Sequence, residues 1–339
     1  MASAGHTLHV SLIATPDAQI SPLSGLFETL NAFGLLAQFE PDIPERPFEV
    51  EIVAENQEHV RGASGLSLGA HRSHAEVRRT DIVIVPLMMV DGPDWVSGRH
   101  PGLVAWLRQM HGQGAMLCSA CTGVLLLAET GLLDGGEATI HWAFAPTFRR
   151  NFPAVKLCTE EVLLTAGRRT EFVMTGGVTS WHDLALYLIA RHVSPAAAQA
   201  MARLMMLQWH GEGQAPYVTF SPQRGHGDAA VLLLQDWLAT HYMIANPVEE
   251  MVARSHLTRR NFERRFAKAT GLSPIAYVQA VRIQEAKRKI ESTDRPVDEI
   301  SYEVGYDNVA FFRRLFKRST RLTPGAYRRK FRMFPIALA

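Results

Sequence analysis

The strongest constraint on the fold of this chain is a pattern that occurs twice near its carboxyl end. Residues 262–277 read FERRFAKATGLSPIAY, and residues 312–327 read FRRLFKRSTRLTPGAY. Aromatic, basic, threonine, leucine and proline positions recur at an interval of 50 residues. A repeat of this kind indicates duplicated supersecondary units, and two copies are too few for a solenoid. The sequence therefore predicts a tandem pair of small modules.

Each copy has the pattern of a helix-turn-helix. Two phenylalanines stand four residues apart, so their rings leave one face of a helix. A short helical segment and a tight corner precede each copy, at residues 248–258 and 297–308. A short helix, a turn and a second amphipathic helix place the second helix in the major groove of DNA. We expect Thr258 and Asn308 to cap the two second helices, with Gly305 at the second corner.

A third helix, predicted over residues 273–290, joins the two modules. Ser273 and Pro274 are typical of a helix start. An apolar stripe runs along one predicted face, formed by Ala276, Ala280, Ile283, Ala286 and Ile290. The leading helices are offset by 49 residues and the second helices by 50, so the second turn is predicted to be one residue longer. At a separation of about 34 Å, both second helices would enter successive major-groove segments on one face of DNA.

Charge is divided unevenly along the chain. Residues 226–339 hold 20 Lys and Arg against 12 Asp and Glu, a net charge of +8, whereas residues 1–225 carry −6. Such asymmetry indicates a nucleic-acid or anionic-membrane partner for one half. Three cysteines are too few for a disulfide framework, no apolar run is long enough to span a bilayer, and the first residues lack a signal-peptide pattern. We therefore expect a cytoplasmic protein without a membrane partner.

The first 200 residues alternate short apolar runs with helical patterns. This alternation predicts an α/β domain with a mostly parallel, flavodoxin-like sheet and helices on both faces. The predicted strands are 8–14, 49–54, 81–86, 114–120 and 171–176, and the predicted helices are 23–36, 101–111, 121–130, 180–192 and 195–209. A Gly- and Pro-rich stretch after them is typical of a linker. We expect an α/β domain over 1–210, a linker over 211–227 and an all-α domain with two helix-turn-helix motifs over 228–332.

Residues 230–332 resemble the DNA-binding domain of the AraC/XylS family of transcription regulators. The resemblance is carried by the two-fold module, the phenylalanine spacing, Gly305 and the ending LTPGAYRRKF. It implies base contacts from Arg260, Glu263, Arg264, Asn308, Val309, Ala310 and Arg314. Other basic residues are interpreted as phosphate contacts or a solvated face: Arg259, Lys268, Arg313 and Lys317, with Arg265, Arg318 and Arg321. Arginine can donate two hydrogen bonds to guanine. For Glu263, a salt bridge to a neighbouring arginine is the alternative.

Residues 118–133, CSACTGVLLLAETGLL, predict a buried strand, a sharp corner and a helix. Cys121 at the corner fits the strand–nucleophile–helix pattern of a nucleophile elbow, in which the helix N-terminus favours the thiolate. Together with GLLDGGEATIHW at 131–142, the segment resembles the class I glutamine-amidotransferase-like, or PfpI-like, superfamily over residues 7–208. Regulators that fuse such a domain to an AraC-type end form the GlxA-type subfamily, which the chain resembles throughout its length.

The predicted elbow departs from the pattern of a hydrolase. Many hydrolytic relatives carry histidine after the cysteine, whereas this chain carries Thr122, and no carboxylate stands out to orient His141. We therefore predict a degenerate site that binds a ligand, with no catalytic residue, metal or cofactor. Its predicted lining is Cys121, Thr122, His141, Trp142 and Trp181, with His182 nearby. Asp183 is interpreted equally well as a helix-end carboxylate, and a redox role for Cys118 with Cys121 stays an alternative.

Together these patterns predict a homodimeric transcription regulator that binds a double-stranded DNA operator. A small-molecule effector would bind the α/β domain, and the resemblance suggests a nitrogenous metabolite. The principal alternative is a cysteine hydrolase or amidase with a DNA-binding appendage. A second alternative is an architectural DNA-binding protein without an effector.

Overall fold

A computed structural model describes residues 7–55, 59–90 and 94–332. The chain divides into two compact units, Met1–Gln214 and Ala215–Ala339. The first is an α/β unit and the second is helical, which confirms the predicted fold class. The division at residues 210 and 227 stays a prediction. No helix among the described residues is both long enough and apolar enough to span a lipid bilayer.

The first unit is built on one mixed sheet with helices around it. Its strands are β1 (Leu8–Ala14), β2 (Phe48–Ala54), β3 (Val60–Arg61), β4 (Ser67–Leu68), β5 (Arg72–Ser73), β6 (Ile82–Val85), β7 (Met116–Ala120), β8 (Glu137–Ala138), β9 (Lys156–Leu157), β10 (Leu163–Ala166) and β11 (Phe172–Thr175). The main sheet has the order β10-β11-β7-β6-β1-β2-β5. Every neighbouring pair in it is parallel except β10 with β11.

Seven helices accompany this sheet in the described part of the first unit. They are α1 (Ile20–Asn31), α2 (Phe33–Leu36), α3 (Pro101–Gly112), α4 (Val124–Glu129), α5 (Ala145–Asn151), α6 (Trp181–His192) and α7 (Pro195–Leu204). The predicted helix at 23–36 begins earlier and is broken at Ala32, and the one at 195–209 ends at Leu204. The one at 121–130 is a 3-10 turn followed by α4.

The central strands are buried on both faces, which explains why they appear in the sequence as unbroken apolar runs. In β6, Ile82 and Ile84 pack with the core that includes α1, α6 and α7, whereas Val83 and Val85 pack with α3 and α4. The alternation follows from the two-residue period of a strand. Because β1, β6, β7 and β11 are parallel neighbours, their carboxyl ends lie together at one edge of the sheet, where ligands of parallel sheets bind.

The second unit holds seven helices in the described residues. They are α8 (Ala229–His241), α9 (Pro247–Ser255), α10 (Arg259–Thr270), α11 (Pro274–Ser292), α12 (Val297–Glu303), α13 (Val309–Thr320) and α14 (Pro324–Phe331). Phe262, Phe266, Phe312 and Phe316 are each at most 1% exposed and belong to one core. The repeated phenylalanines are therefore the anchors of two modules on a shared interior.

The two modules repeat each other in contacts as well as in sequence. The rings of Phe266 and Tyr277 meet edge to face at 5.2 Å, and those of Phe316 and Tyr327 do so at 5.3 Å. The second helices of the two modules, α10 and α13, are called the recognition helices below. Each ends on a left-handed residue, Gly271 in the first copy and Arg321 in the second. Internal duplication at this level confirms the tandem modules that the sequence predicts.

The corners of the two modules differ by one residue. A left-handed residue forms each corner, His256 with φ 53° and Gly305 with φ 89°. Three positions separate His256 from the first residue of α10, and four separate Gly305 from that of α13, as predicted. Asn308 caps α13 by accepting a hydrogen bond from the Phe311 amide at 2.9 Å. Thr258 occupies the predicted N-cap position of α10, but its side chain accepts no capping hydrogen bond there.

The joining helix α11 buries more polar residues than its predicted stripe suggests. Ile283, Ala286 and Ile290 are buried, whereas Ala276 and Ala280 are only partly so. Arg282 and Lys287 are also buried, at 7% and 5% exposure. Each donates hydrogen bonds to backbone carbonyl oxygens, and a pattern of apolar residues alone does not predict this burial.

Candidate functional site

The outer faces of α10 and α13 each carry exposed basic side chains. Arg260 and Arg264 lie one turn apart on α10 and are exposed, while the phenylalanines of the same helix face inward. On α13, Arg314 and Ala310 are exposed and Val309 is partly buried. Arginines on the outer face of a recognition helix are placed to donate to guanine edges and phosphates.

Ion pairs divide the predicted phosphate contacts into two groups. Arg259 pairs with Glu249 of α9 at 3.1 Å and with Glu263 at 3.0 Å. Arg313 pairs with Asp298 of α12 at 2.6 Å. Exposed pairs of this kind contribute little to stability and can exchange for a phosphate. The alternative reading of Glu263, as a salt-bridge partner, is the arrangement in this structure.

The other predicted phosphate contacts, Lys268 on α10 and Lys317 on α13, are exposed. Arg265 instead pairs with Asp228, which caps α8. Asn308 uses its side-chain oxygen to cap α13, so its amide nitrogen remains the group that can donate to a base. We therefore expect Lys268 and Lys317 to be the more available phosphate contacts.

The cysteine elbow has the predicted backbone shape. Cys121 follows β7 directly and has a φ of 55°, an uncommon conformation for a residue with a side chain. Gly123 makes the tight corner possible, because a Cβ there would lie 2.4 Å from the carbonyl oxygens of Val85 and Pro86. Thr122 is buried, and its hydroxyl donates to the Met88 carbonyl oxygen and accepts from the Met88 amide.

The predicted electrostatics of the elbow are wrong. Cys121 is fully buried, and burial raises the pKa of its thiol to about 11, which outweighs contacts from the backbone of Thr122 and Gly177. Any favourable effect of the helix N-terminus therefore does not offset the cost of burying a thiolate at Cys121. Cys118 is likewise a buried strand residue whose pKa burial raises further. Neither thiol has the exposed, electropositive environment of a reactive cysteine.

His141 is not joined to the elbow by a hydrogen bond in the part of the chain that the structure describes. Its Nδ1 accepts from the Ala143 amide at 3.2 Å, and its ring stacks on Trp142 at 5.3 Å. Burial lowers the pKa of His141. Trp181 packs elsewhere, over Gly25 of α1, where any Cβ would lie 2.6 Å from the indole. The structure thus shows packing roles for these rings.

A cleft of about 550 Å³ opens beside the carboxyl ends of β1 and β6. Gln19 follows β1 and Met89 follows β6, and both line it. The remaining lining residues are Ile20, Ser21, Ser24, Ala63, Ser64 and Leu66. The cleft is mixed in polarity and large enough for a small metabolite. None of the five pocket residues predicted from sequence lines it, although Thr122 holds the neighbouring Met88.

Comparison with known proteins assigns both units. Residues 23–176 match the DJ-1/PfpI family, and residues 251–330 match a helix-turn-helix domain. The HTH-type transcriptional regulator CdhR of Pseudomonas aeruginosa is 25% identical over 266 residues, which cover 78% of this chain and 77% of that protein. The HTH-type transcriptional regulator GlxA of Rhizobium meliloti is 26% identical over 315 residues, covering 89% and 90%. This chain combines a DJ-1/PfpI domain with a C-terminal AraC-type helix-turn-helix domain.

A solved structure supports the fold of part of this chain. A crystal structure from Vibrio parahaemolyticus, described as that of a candidate transcriptional regulator, has a TM-score of 0.51 at 22% sequence identity. The alignment covers 60% of this chain and 100% of that chain. At this identity the likeness shows the fold, and the chemistry of the site must be argued from this chain's own residues.

This chain also has a charged cluster at the edge of the sheet that its sequence did not lead us to predict. Asp17 follows β1 and pairs with Arg99 at 2.8 Å and with His100 at 3.4 Å. His100 faces Glu55, at the end of β2, at 3.3 Å. The Asp17 carboxylate, followed by Glu55, raises the pKa of His100 against the effect of burial. These residues are far apart in sequence, and no local motif marks them.

A second missed cluster lies where α6 begins. Asp183 is fully buried and accepts from the His210 amide at 2.9 Å and from its ring Nδ1 at 2.7 Å. The ring of His182 stacks on that of His210, with centroids 5.1 Å apart. Burial lowers the pKa of His182, which Asp183 opposes. Asp183 is thus more than a helix-end carboxylate, because it binds the segment that ends the first unit.

Proposed function

We propose that the chain is a DNA-binding transcription regulator that responds to a small metabolite. The observation that carries the DNA-binding half is the pair of equivalent arginines, Arg264 and Arg314, exposed on the two recognition helices while the repeated phenylalanines fix those helices from within. The regulators CdhR and GlxA support the assignment. A cytoplasmic location, with access to DNA, follows from this function.

The arginines give a direct test of DNA binding. A specific duplex, obtained by selection from a random pool, should lose about 1–3 kcal/mol of binding free energy with Arg264→Ala and with Arg314→Ala. Arg288→Ala is the matched control, because Arg288 is exposed on α11, paired with Glu285 and outside both recognition helices. Fluorescence anisotropy at fixed salt measures the effect. Wild-type affinity in both arginine variants would contradict the assigned DNA surface.

We propose that the effector binds in the cleft beside β1 and β6. Support comes from its position at the carboxyl ends of parallel strands and from its polar side chains, Gln19, Ser21 and Ser24, beside apolar Met89. A nitrogenous metabolite could donate hydrogen bonds to these polar side chains and accept hydrogen bonds from them. To bias DNA binding, such a ligand must bind two arrangements of the protein unequally. A homodimer on direct-repeat or palindromic sites is part of the same proposal.

The cleft assignment is tested by ligand-dependent stabilisation. A metabolite screen against the full chain should find compounds that raise its thermal midpoint, and Ser24→Leu should abolish the rise by filling the cleft. Thr7→Val, at an exposed hydroxyl outside the cleft, is a control. Stabilisation that survives Ser24→Leu would move the effector site elsewhere, and DNA binding without any effector response would favour the architectural alternative.

We infer that the first unit is a binding domain and not a cysteine hydrolase. Support comes from the complete burial of Cys121 and from the packing role of Thr122. His141 uses Nδ1 to hold a neighbouring amide, so no oriented base faces the thiol among the described contacts. Full regulation by a Cys121→Ala variant would agree with this inference, and loss of regulation with retained folding would favour the hydrolase.

A further inference from the structure

Three groups that commonly bind metals converge at the start of α6. The ligand atoms of His182, Asp183 and His210 all lie within 4.8 Å of one another. Asp183 is fully buried, and the two histidine side chains are 12% and 18% exposed. Within the described part of the chain, Nδ1 of His182 has no hydrogen-bond partner although it is buried. Two imidazoles and one carboxylate form a donor set that suits zinc and its neighbours.

We propose that His182, Asp183 and His210 bind a divalent first-row transition metal, with Zn²⁺ as the reference ion. The contacts bracket the spacing that such an ion requires. Asp183 Oδ2 lies 2.7 Å from His210 Nδ1 and 3.7 Å from His182 Nδ1. Zinc–ligand bonds of about 2.0–2.1 Å in a tetrahedron put ligand atoms about 3.3 Å apart. One contact must open and the other close by about half an ångström.

Metal binding replaces a proton at one named atom. In the metal-free protein, the imidazole Nδ1–H of His210 donates to Asp183. On binding, His210 changes tautomer: Nδ1 gives up this proton, Nε2 takes one from solvent, and the Nδ1 lone pair is directed to the metal, while Nδ1 of His182 gains a partner. Both histidines bind as neutral rings.

A cavity beside the cluster leaves room for the remaining position. It measures about 120 Å³ and is lined by Asp183 and His210, with Trp209 and Gly213 from the same segment. A water molecule needs about 30 Å³ of liquid volume, so one or more can complete a four-coordinate site. Three protein ligands and a water are typical of an open metal site.

The location gives the site a structural consequence. His182 and Asp183 belong to α6, whereas His210 belongs to the irregular segment after α7 that ends the first unit at Gln214. In the metal-free protein, Asp183 holds this segment through two hydrogen bonds to His210. A bound metal would replace the Nδ1–H hydrogen bond by a bridge between His210 and Asp183, and it would also attach the segment to His182. Loading should therefore slow local opening of residues 209–213.

The inference is tested on the full chain with Zn²⁺ alone. Isothermal titration should find one site per chain that EDTA reverses, and the thermal midpoint should rise by roughly 5–10 °C at a hundred-fold excess over Kd. Co²⁺ should give the visible absorption of a tetrahedral centre. Hydrogen exchange in residues 209–213 should slow on loading. None of these measurements depends on DNA binding or on an effector.

Matched variants separate this site from adventitious binding. His182→Gln should lose the Zn²⁺ response and lower the metal-free midpoint only slightly, because its Nδ1 makes no hydrogen bond to lose and the main contact removed is the ring stacking on His210. His192→Gln, at a half-buried histidine on the same helix, should keep the response. Cys158→Ser should also keep it. No saturable Zn²⁺ effect, or an equal effect in His182→Gln, would overturn the proposal.

Discussion

Nε of Arg282 donates a hydrogen bond of 2.7 Å to the carbonyl oxygen of Tyr242, inside the core of the second unit. Nη2 of the same guanidinium donates to the Ile244 carbonyl oxygen, also at 2.7 Å. The group lies over the ring of Tyr306, 5.0 Å from its centroid. Burial lowers the pKa of Arg282, yet it stays charged at neutral pH. One side chain of the joining helix thus fixes the turn after α8 and the corner before α13.

Replacing Arg282 should destabilise the second unit. Arg282→Met keeps most of the buried length but leaves two carbonyl oxygens without their donor, at a cost of about 1–3 kcal/mol each. Calorimetry of the full chain should show this loss of stability as a lower thermal midpoint for the unfolding of residues 215–339. Arg288→Met, on the exposed side of the same helix, should change that midpoint little. Equal shifts in both variants would contradict the bridging role.

A side chain at Gly305 should be costlier than one at Gly271. Both have positive φ, but a Cβ at Gly305 would lie 2.7 Å from the Met243 carbonyl oxygen and 2.8 Å from Arg282, whereas none lies within 4 Å at Gly271. Gly271→Ala should therefore cost about 1 kcal/mol of backbone strain, and Gly305→Ala should cost more. Urea unfolding of the two variants compares them. A smaller loss at Gly305 would show that the corner relaxes freely.

Alkylation should reach Cys158 long before Cys121. At pH 7 a thiol with a pKa near 11 is about one part in ten thousand thiolate, and Cys121 is also inaccessible. Iodoacetamide labelling followed by peptide mass spectrometry should show Cys158 modified first, by about a hundred-fold or more. In Cys158→Ser, the folded protein should label only slowly. Fast, selective labelling of Cys121 would instead restore the cysteine hydrolase as the leading interpretation.

His100 should make stability fall as pH rises above neutrality. Its pKa is raised above 6.5 in the folded state, so its contribution is complete below the unfolded pKa and disappears as pH passes the folded one. Between pH 6 and 9, Asp17 stays ionised because its pKa is lowered despite burial. The thermal midpoint should fall more over this range in the wild type than in His100→Gln. Parallel pH profiles would exclude the pair as a contributor.

The parts of the fold that the sequence predicts are those that depend on the regular spacing of apolar residues. β6 is an unbroken apolar run because both its faces are buried, and the phenylalanine pairs repeat because each module needs the same anchors. The elbow at Cys121 is also predictable, since a small-residue corner between strand and helix is a local pattern. The reactivity of the Cys121 thiol is not predictable from the sequence, because it depends on burial by segments that are distant along the chain.

The clusters that sequence reasoning missed depend on pairs distant along the chain. Asp17 and His100 meet only after β1 and α3 take their places around the sheet, and Asp183 meets His210 across two helices. Arg282 looks like one of many exposed basic residues until its carbonyl partners are known. For the recognition helices, spacing predicts which side chains face outward, but only the structure shows that Arg259 and Arg313 have carboxylate partners.

The duplicated interior of the second unit carries unlike exteriors. Position for position, Arg264 has its counterpart in Arg314, but Arg260 corresponds to Ala310. If the two helices contact bases as proposed, they would therefore recognise different base pairs although one scaffold holds both. A single protomer would then require an asymmetric target, and reversing that target along the duplex would place the wrong base pairs against each helix.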